Sequence, residues 1–591
     1  MNALATLLAV TPILTVFLLL VVLRLPAKVS MSAAYVVTAL LALLYWGASG
    51  ATVAAASANG VIVALTILYI VFGAVLLLNV LKESGAINSI RRGFMDISPD
   101  RRVQVILVAW LFGSLVEGSS GFGTPSAVAA PLLLALGFPA LAAVMAVLVI
   151  QSTPVSFGAV GTPLLVGVNT GISNSAEVTQ AIAPRTAEQY LLQITGNVGL
   201  VHALIGVLIP LLLCGLLTRF FGEKRSFREG LEVWPFALLA GVAFTVPYAL
   251  VARFLGPEFP SLVGGMVGLI VVVAAARAGF LTPKRAFDFP AESRWPRTWM
   301  GTVKGGENAA ARSDISVLAA FAPYLIVIGL LVLTRVVAPL KAFLTGESTT
   351  LTFAELFGTS ITSRVQLAYS PGTVLILTAL LCILLYRMKA DAFRRGVGTS
   401  ARTMVAAAPA LLLSVPMVQV FINSASANPD AAGALPAMPM VLAQSAADAF
   451  SGLWPNISPW IGSLGAFIAG SNTVSNMMFS SFQFSTAQQI GLDVGQSALV
   501  VALQAVGGAA GNMIAVHNVV AAAAVVGLIN REGEVIRMTL IPMVYYVVQA
   551  GLIGQALITG QPLWWLGAVL WPLLYFGLLS RPRPVPAPTE V

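Results

Sequence analysis

Charge is what this chain lacks most. Asp, Glu, Lys and Arg make up 9% of its 591 residues and hydrophobic types 58%, whereas soluble domains carry about 25% charged residues. That excludes an ordinary soluble globule and points to a polytopic membrane protein. Apolar runs of the roughly 20 residues that a bilayer crossing needs occur at 3–23, 60–80, 196–217 and 316–338. Cysteine is nearly absent too: Cys214 and Cys382 both fall inside apolar runs, without Cys/His ligand spacing, which argues against a disulfide or a zinc site. No basic region precedes the first apolar run and no small-residue cleavage site clearly follows it, so 3–23 reads as a retained helix rather than a signal peptide. The net charge of +9 does not imply nucleic acid, because Lys and Arg sit in short loops between apolar runs, as orientation signals do.

Those basic stretches lie at Arg24 and Lys28, 82–102, 219–228, 277–304 and 387–402. Placing them all on the cytoplasmic side predicts helices at 3–23, 32–49 and 60–80, with the N-terminus and residues 50–58 outside. Further spans follow at 196–217, 234–254, 262–276, 316–338, 373–386, 539–558 and 563–579, which bring the C-terminal "RPRPVPAP" inside. The expected divisions are N-terminal helices (1–81), a first hairpin and broken helix (82–195), linking helices with a cytoplasmic loop at 277–312 (196–386), a second set (387–538), and C-terminal helices and tail (539–591).

The chain also aligns with itself. "GSLVEGSSGFGTPS" at 113–126 falls without a gap on "GAFIAGSNTVSNMM" at 465–478, and "QSTPVSFGAVG" at 151–161 falls on "QAVGGAAGNMI" at 504–514. Charge supplies an independent test. The basic stretch 82–102 matches 424–458, which has no Lys or Arg, while uncharged 50–58 matches basic 387–402. Opposite charge bias at matched positions is the signature of inverted-topology repeats in secondary transporters. The expected fold is therefore an all-α polytopic membrane protein of two inverted repeats. Each has a surface-lying stretch (84–102; 428–456), a re-entrant hairpin whose arms, such as 103–116 and 123–137, are too short to cross, and an interrupted helix (140–170; 496–529).

Hairpin tips and helix breaks leave backbone N–H groups free, and helix N-termini carry about half a positive charge. Converging tips and breaks would cradle a small anion. The substrate-binding candidates are Ser119, Ser120, Gly121, Gly123 and Thr124 at the first tip, and Ser152, Thr153 and Ser156 at the first break. At the second tip they are Ser471, Asn472, Thr473, Ser475 and Asn476, with Asn512 at the second break. Small residues packing helices closely would be the bland alternative. Glu117 stands apart: an ionised, unpaired carboxylate at membrane depth costs roughly 2.5 kcal/mol or more, so it must be protonated, paired or wet. It and His517, whose side-chain type titrates near pH 6.5, are the proton-coupling candidates; His202, in a plain apolar run, reads as structural. An intramembrane enzyme would need a nucleophile with its base, or a metal cluster, at depth. One Glu, one His and no acidic pair do not provide that, so no enzyme, cofactor or metal is expected.

With Glu-Gly-Ser-Ser-Gly-Phe-Gly-Thr-Pro at 117–125, Thr-Pro-Val-Ser-Phe-Gly-Ala-Val-Gly at 153–161 and Gly-Ser-Asn-Thr-Val-Ser-Asn at 470–476, the chain resembles the L-lactate permease family over nearly its whole length. The resemblance implies a bacterial inner-membrane symporter that moves lactate, glycolate or a related small monocarboxylate with protons, built from inverted repeats with re-entrant hairpins, with room for a homodimer. Two departures mark it as divergent: Asn472 stands where the family often has Asp, and Gly511-Asn512-Met513-Ile514-Ala515-Val516-His517 where it often reads Gly-Lys-Met-Ile-Ser-Pro-Gln. A lost Asp and a lost Lys offset each other in charge. They leave the exact acid open, and Na⁺ open as the coupling ion.

Overall fold

In a computed structural model the described residues are 3–23, 25–95, 97–121, 123–302, 314–431, 433–528 and 531–581. The tail beyond 581 and part of the loop expected at 277–312 lie outside them. Among the described residues the chain is helical apart from one small antiparallel β-hairpin, Leu351–Phe353 with Ser363–Val365, in a segment rich in β-branched residues. Among the described residues nine helices are long and apolar enough to cross a membrane, or up to eleven if each of two bent pairs counts as one span. This is a polytopic membrane protein.

Two long helices, Gly50–Glu83 and Ala390–Ile422, form the spine. They run antiparallel, because Asn59 pairs with Gln419 (3.1 Å), Asn79 with Ser400 (2.9 Å) and Glu83 with Arg395 (2.9 Å) along their lengths. Gly60 permits the crossing, since a β-carbon there would collide with the Pro416 backbone. Residues 50–58, expected as an outside loop, are instead the first turns of the Gly50 helix. Ser49 caps them by accepting from Thr52 N (3.0 Å), and the Ala-rich sequence has strong helix propensity although it is less apolar than the rest of that helix. The second helix bends by 43° near residue 407, where Pro409 removes a hydrogen bond.

After each long helix comes the same order: a short helix (Ala86–Met95; Met438–Phe450), an antiparallel helical hairpin, and an interrupted helix. The first hairpin joins Arg101–Ser120 to Thr124–Ala135; its base is closed by Arg101, whose Nη1 donates to Leu136 O. The second joins Trp454–Ala469 to Asn472–Gln489, closed by Trp454 Nε1 donating to Gln483 Oε1 (2.9 Å). The expectation that the arms are short fails for Arg101–Ser120, a continuous 20-residue helix that includes the π-helical stretch Ile106–Phe112. It is buried from Arg102 onward. The gapless sequence match is also out of register here: the first arm ends at Ser120 and the second at Ala469, so Glu117 lies one turn inside its helix rather than at the position of Ala469.

The interrupted helices break where expected, although the second break is narrower. In the first, Ala140–Val149 and Pro163–Ser173 flank an irregular stretch; in the second, Val494–Asn512 and Val516–Val525 are separated by only three residues. These hairpins and breaks form the core, and the helices around them turn apolar faces outward, with Leu318, Leu563, Leu573 and Leu574 more than half exposed. Exposed leucines in such a belt face lipid rather than water.

Candidate functional site

Both hairpin tips need glycine. Gly121 has φ 57° and ψ −157°, a region essentially closed to residues with a side chain, and Gly123 is left-handed at φ 75°. Gly470 (φ 70°) ends the first arm of the second hairpin, and Ser471 then caps Asn472–Gln489 by accepting from Val474 N. That helix begins with its free N–H groups at the tip. In the first break Ala159, Val160 and Gly161 are left-handed in succession, at φ 42°, 55° and 77°. For Ala and Val this stores on the order of 1–2 kcal/mol each. The strained stretch lies directly under the first tip, because a β-carbon at Gly121 would meet Ala159.

Tips and breaks interlock. Asn472 Nδ2 donates to Ser156 Oγ (3.4 Å) and Asn476 Nδ2 to Pro163 O (3.2 Å), which sets the second tip on the first break. Asn518 Nδ2 caps Asn512 O (3.2 Å) and its Oδ1 lies near Gly123, which sets the second break by the first tip. Between them is a cavity of about 1040 Å³ lined by Glu117, Gly121, Gly123, Ser471, Asn472, Thr473 and Asn512, among others. All seven were candidates from sequence. Glu117 is 2% exposed; Gln151 Nε2 donates to its Oε2 (3.0 Å), and only a glycine fits at 158, where a β-carbon would collide with Oε1. Among the described residues no Lys or Arg lines the cavity, whereas Glu532 does, at its mouth.

The other candidates stand behind the wall. Ser119 bonds to Val116 O and to Ser120, Ser152 to Val149 O, and Ser475 to Gly462 O, all within or between helices. Thr124 is buried beside the first tip. Thr153, Ser156 and Asn476 hold the first break in place. The side chain of His517 lies outside the described residues.

A scan against family models matches the L-lactate permease model over residues 5–559. The chain belongs to the L-lactate permease family. It is 31% identical over 532 residues to a Haemophilus influenzae protein provisionally described as an L-lactate permease, covering 86% of this chain and 90% of that one. It is 28% identical over 573 residues to the glycolate permease GlcA of Escherichia coli (93% and 95%), and 28% over 506 residues to the L-lactate permease of Bacillus subtilis (80% and 82%). Family membership and the apolar helices together point to a transporter of lactate or glycolate in a membrane.

One group was missed from sequence. His202, on Ala187–Gly206, is fully buried, with Nε2 2.8 Å from Ser156 Oγ and Nδ1 2.5 Å from Tyr546 Oη; Tyr546 reaches Thr153 Oγ1 at 3.0 Å. Tyr248 and Ser261 donate to the carbonyls of Thr153 and Pro154 (2.6 and 2.7 Å). The irregular break is thus fastened to four framework helices. Its partners come from positions scattered over some 400 residues, which no local pattern links.

Proposed function

We propose that this chain is a proton-coupled symporter of lactate, glycolate or a closely related monocarboxylate, with the cavity between the two tips as its substrate site. The observation that carries this reading is the pairing, in one cavity, of an uncharged anion cradle with a single buried carboxylate, Glu117. The capped N-terminus of Asn472–Gln489 offers N–H groups and a positive dipole end to the substrate carboxylate. With no Lys or Arg among the described residues of the lining to offset it, an ionised Glu117 repels that anion; once protonated it does not. Anion and proton then bind favourably only together, which is what symport requires.

The antiparallel run of the two matched long helices, and the opposite charge bias of their surroundings, support inverted repeats with re-entrant hairpins. The cavity extends to Leu25, Met31, Ala406 and Glu532, each within about a turn in sequence of a basic residue, Lys28, Arg402 or Arg531. By the positive-inside rule that mouth is cytoplasmic, so this conformation faces inward in a bacterial inner membrane. The test is uptake of labelled lactate and glycolate into proteoliposomes with pH and Na⁺ gradients imposed separately. An inward proton gradient should drive accumulation and a Na⁺ gradient should not; the reverse result would make the carrier sodium-coupled.

A further inference from the structure

Several buried amides in this core are held in one orientation by partners whose chemistry is fixed. Trp454 Nε1 can only donate, so it meets Gln483 Oε1 (2.9 Å), which turns Gln483 Nε2 to Gln504 Oε1 (3.0 Å) and Gln504 Nε2 to Ser475 Oγ (3.0 Å). Asn476 and Asn518 donate to the carbonyls of Pro163 and Asn512, which can only accept. Gln151 differs. It is 1% exposed and stands just past the end of Ala140–Val149, where the first break begins. Its Nε2 donates to Glu117 Oε2 (3.0 Å), and among the described residues its Oε1 has no partner. The amide is therefore bonded to one group alone, and that group only accepts when ionised but carries an O–H donor when protonated.

No other charge bonds to this pair. The elements packed on Gly113–Ser120 are Gly50–Glu83, Ile106–Phe112, Thr124–Ala135, the break at 155–162 and Pro260–Arg277. Of their titratable groups, Tyr69 bonds Thr373 and Glu83 pairs with Arg395. Lys82 and Arg277 stand at exposed helix ends, Arg277 at the opposite end of its helix from Ser261, which meets Gly118. His202, Tyr248 and Tyr546 hold the break, and Glu532 is the one other charged residue among the described lining of the cavity. Resting on the reading of Glu117 as the proton-binding group, we propose that Gln151 is the positioning residue that partners Glu117 in both of its protonation states: its amide nitrogen donates to the carboxylate, and the amide turns over to accept from the carboxylic acid. A half-turn about the last side-chain bond exchanges oxygen and nitrogen with almost no displacement of heavy atoms. Turning breaks no bond except the one being remade, and the cavity wall keeps its shape while the proton comes and goes. A fixed donor at this place would suit only the ionised carboxyl, and a fixed acceptor only the protonated one. An amide free to turn leaves the carboxyl unpaired in neither state.

The test is infrared difference spectroscopy, low minus high pH, on the full-length carrier in proteoliposomes, for wild type, Glu117→Gln and Gln151→Met, which keeps the length of the side chain without its amide. Wild type should show a carboxylic acid band that Glu117→Gln removes, at the frequency of a hydrogen-bonded acid, together with an amide C=O change that Gln151→Met removes. In Gln151→Met the acid band should move to the higher frequency of a free acid. Lactate accumulation driven by a proton gradient should fall about three- to tenfold in that variant, the effect of one hydrogen bond. An acid band at the same frequency in wild type and Gln151→Met overturns the proposal, as does an amide signal that ignores pH; a merely structural glutamine gives both. Should Gln151→Met fail to insert, the wild-type acid band decides: the frequency of a hydrogen-bonded acid supports the proposal and that of a free acid overturns it. A wild type with no acid band dependent on Glu117 would overturn the reading of Glu117 as the proton-binding group, and the proposal with it.

Discussion

Replacing Glu117 by Gln fixes the neutral form of the carboxyl at nearly constant shape, and the structure sets the size of the effect. The cavity has a volume of about 1040 Å³, and a ligand anion within it is taken to sit roughly 6–8 Å from Glu117 for a Coulomb estimate. At an effective dielectric constant near 20 two like charges at that separation repel by about 2–3 kcal/mol, which is roughly 30- to 100-fold in affinity. In wild type, lactate should bind that much more tightly when the carboxyl is protonated than when it is ionised. Affinity therefore rises as pH falls and levels off once Glu117 is neutral. Glu117→Gln should hold the tight value at every pH, keep exchange of labelled for unlabelled lactate, and lose accumulation driven by a pH gradient. The variant side chain can still meet the Gln151 amide that now donates to Oε2, so insertion and fold should be retained. Calorimetric titration of the detergent-solubilised carrier across pH 5–8, together with uptake into proteoliposomes, checks both halves. Undiminished uphill transport by Glu117→Gln, or wild-type binding that ignores pH, would refute the mechanism and move attention to His517 or a sodium ion.

Gly158→Ala should impair transport through the same carboxylate, since its β-carbon occupies the space of Glu117 Oε1; a loss of about 1–3 kcal/mol of stability would appear in a thermal melt. The buried pair Arg335–Glu258 (2.9 Å), with Arg335 stacked on Tyr369, ties Val317–Val336 to the turn before Pro260. Arg335→Met alone should cost about 3–5 kcal/mol, and adding Glu258→Leu should recover most of it in the same melt. A reporter fused in 82–102 should read cytoplasmic and one at 428–436 periplasmic; the same side for both would exclude inverted halves.

What was legible in the sequence was whatever one stretch of chain decides alone. Trp234–Phe254, Val317–Val336 and Pro562–Leu579 match their apolar runs to within a few residues because lipid imposes both length and composition. The helix breaks were visible because Gly and Pro at 153–163 have few other uses. The helical turns at 50–58 were not, since alanine, serine and threonine look like a loop when hydropathy is the criterion. Nor was the role of His202, whose partners Ser156 and Tyr546 lie 46 and 344 residues away. Tertiary polar networks are the part of a membrane fold that composition does not announce.

In the proposed mechanism the difference between the two hairpins is what would couple substrate to proton. Both hairpins supply a glycine turn and a helix start at the cavity, yet only the first arm carries a carboxylate, one turn back from its tip, and only the second presents Asn472. Near-identical halves would bind an anion from either side equally but would have nothing to couple it to. In the proposed mechanism the ionisable group stands on one hairpin and Asn472 on the other, and both line a single cavity. The first break joins the two, since Gln151 bonds Glu117 and Ser156 bonds Asn472. Any rearrangement of that stretch would therefore reach Glu117 and Asn472 together.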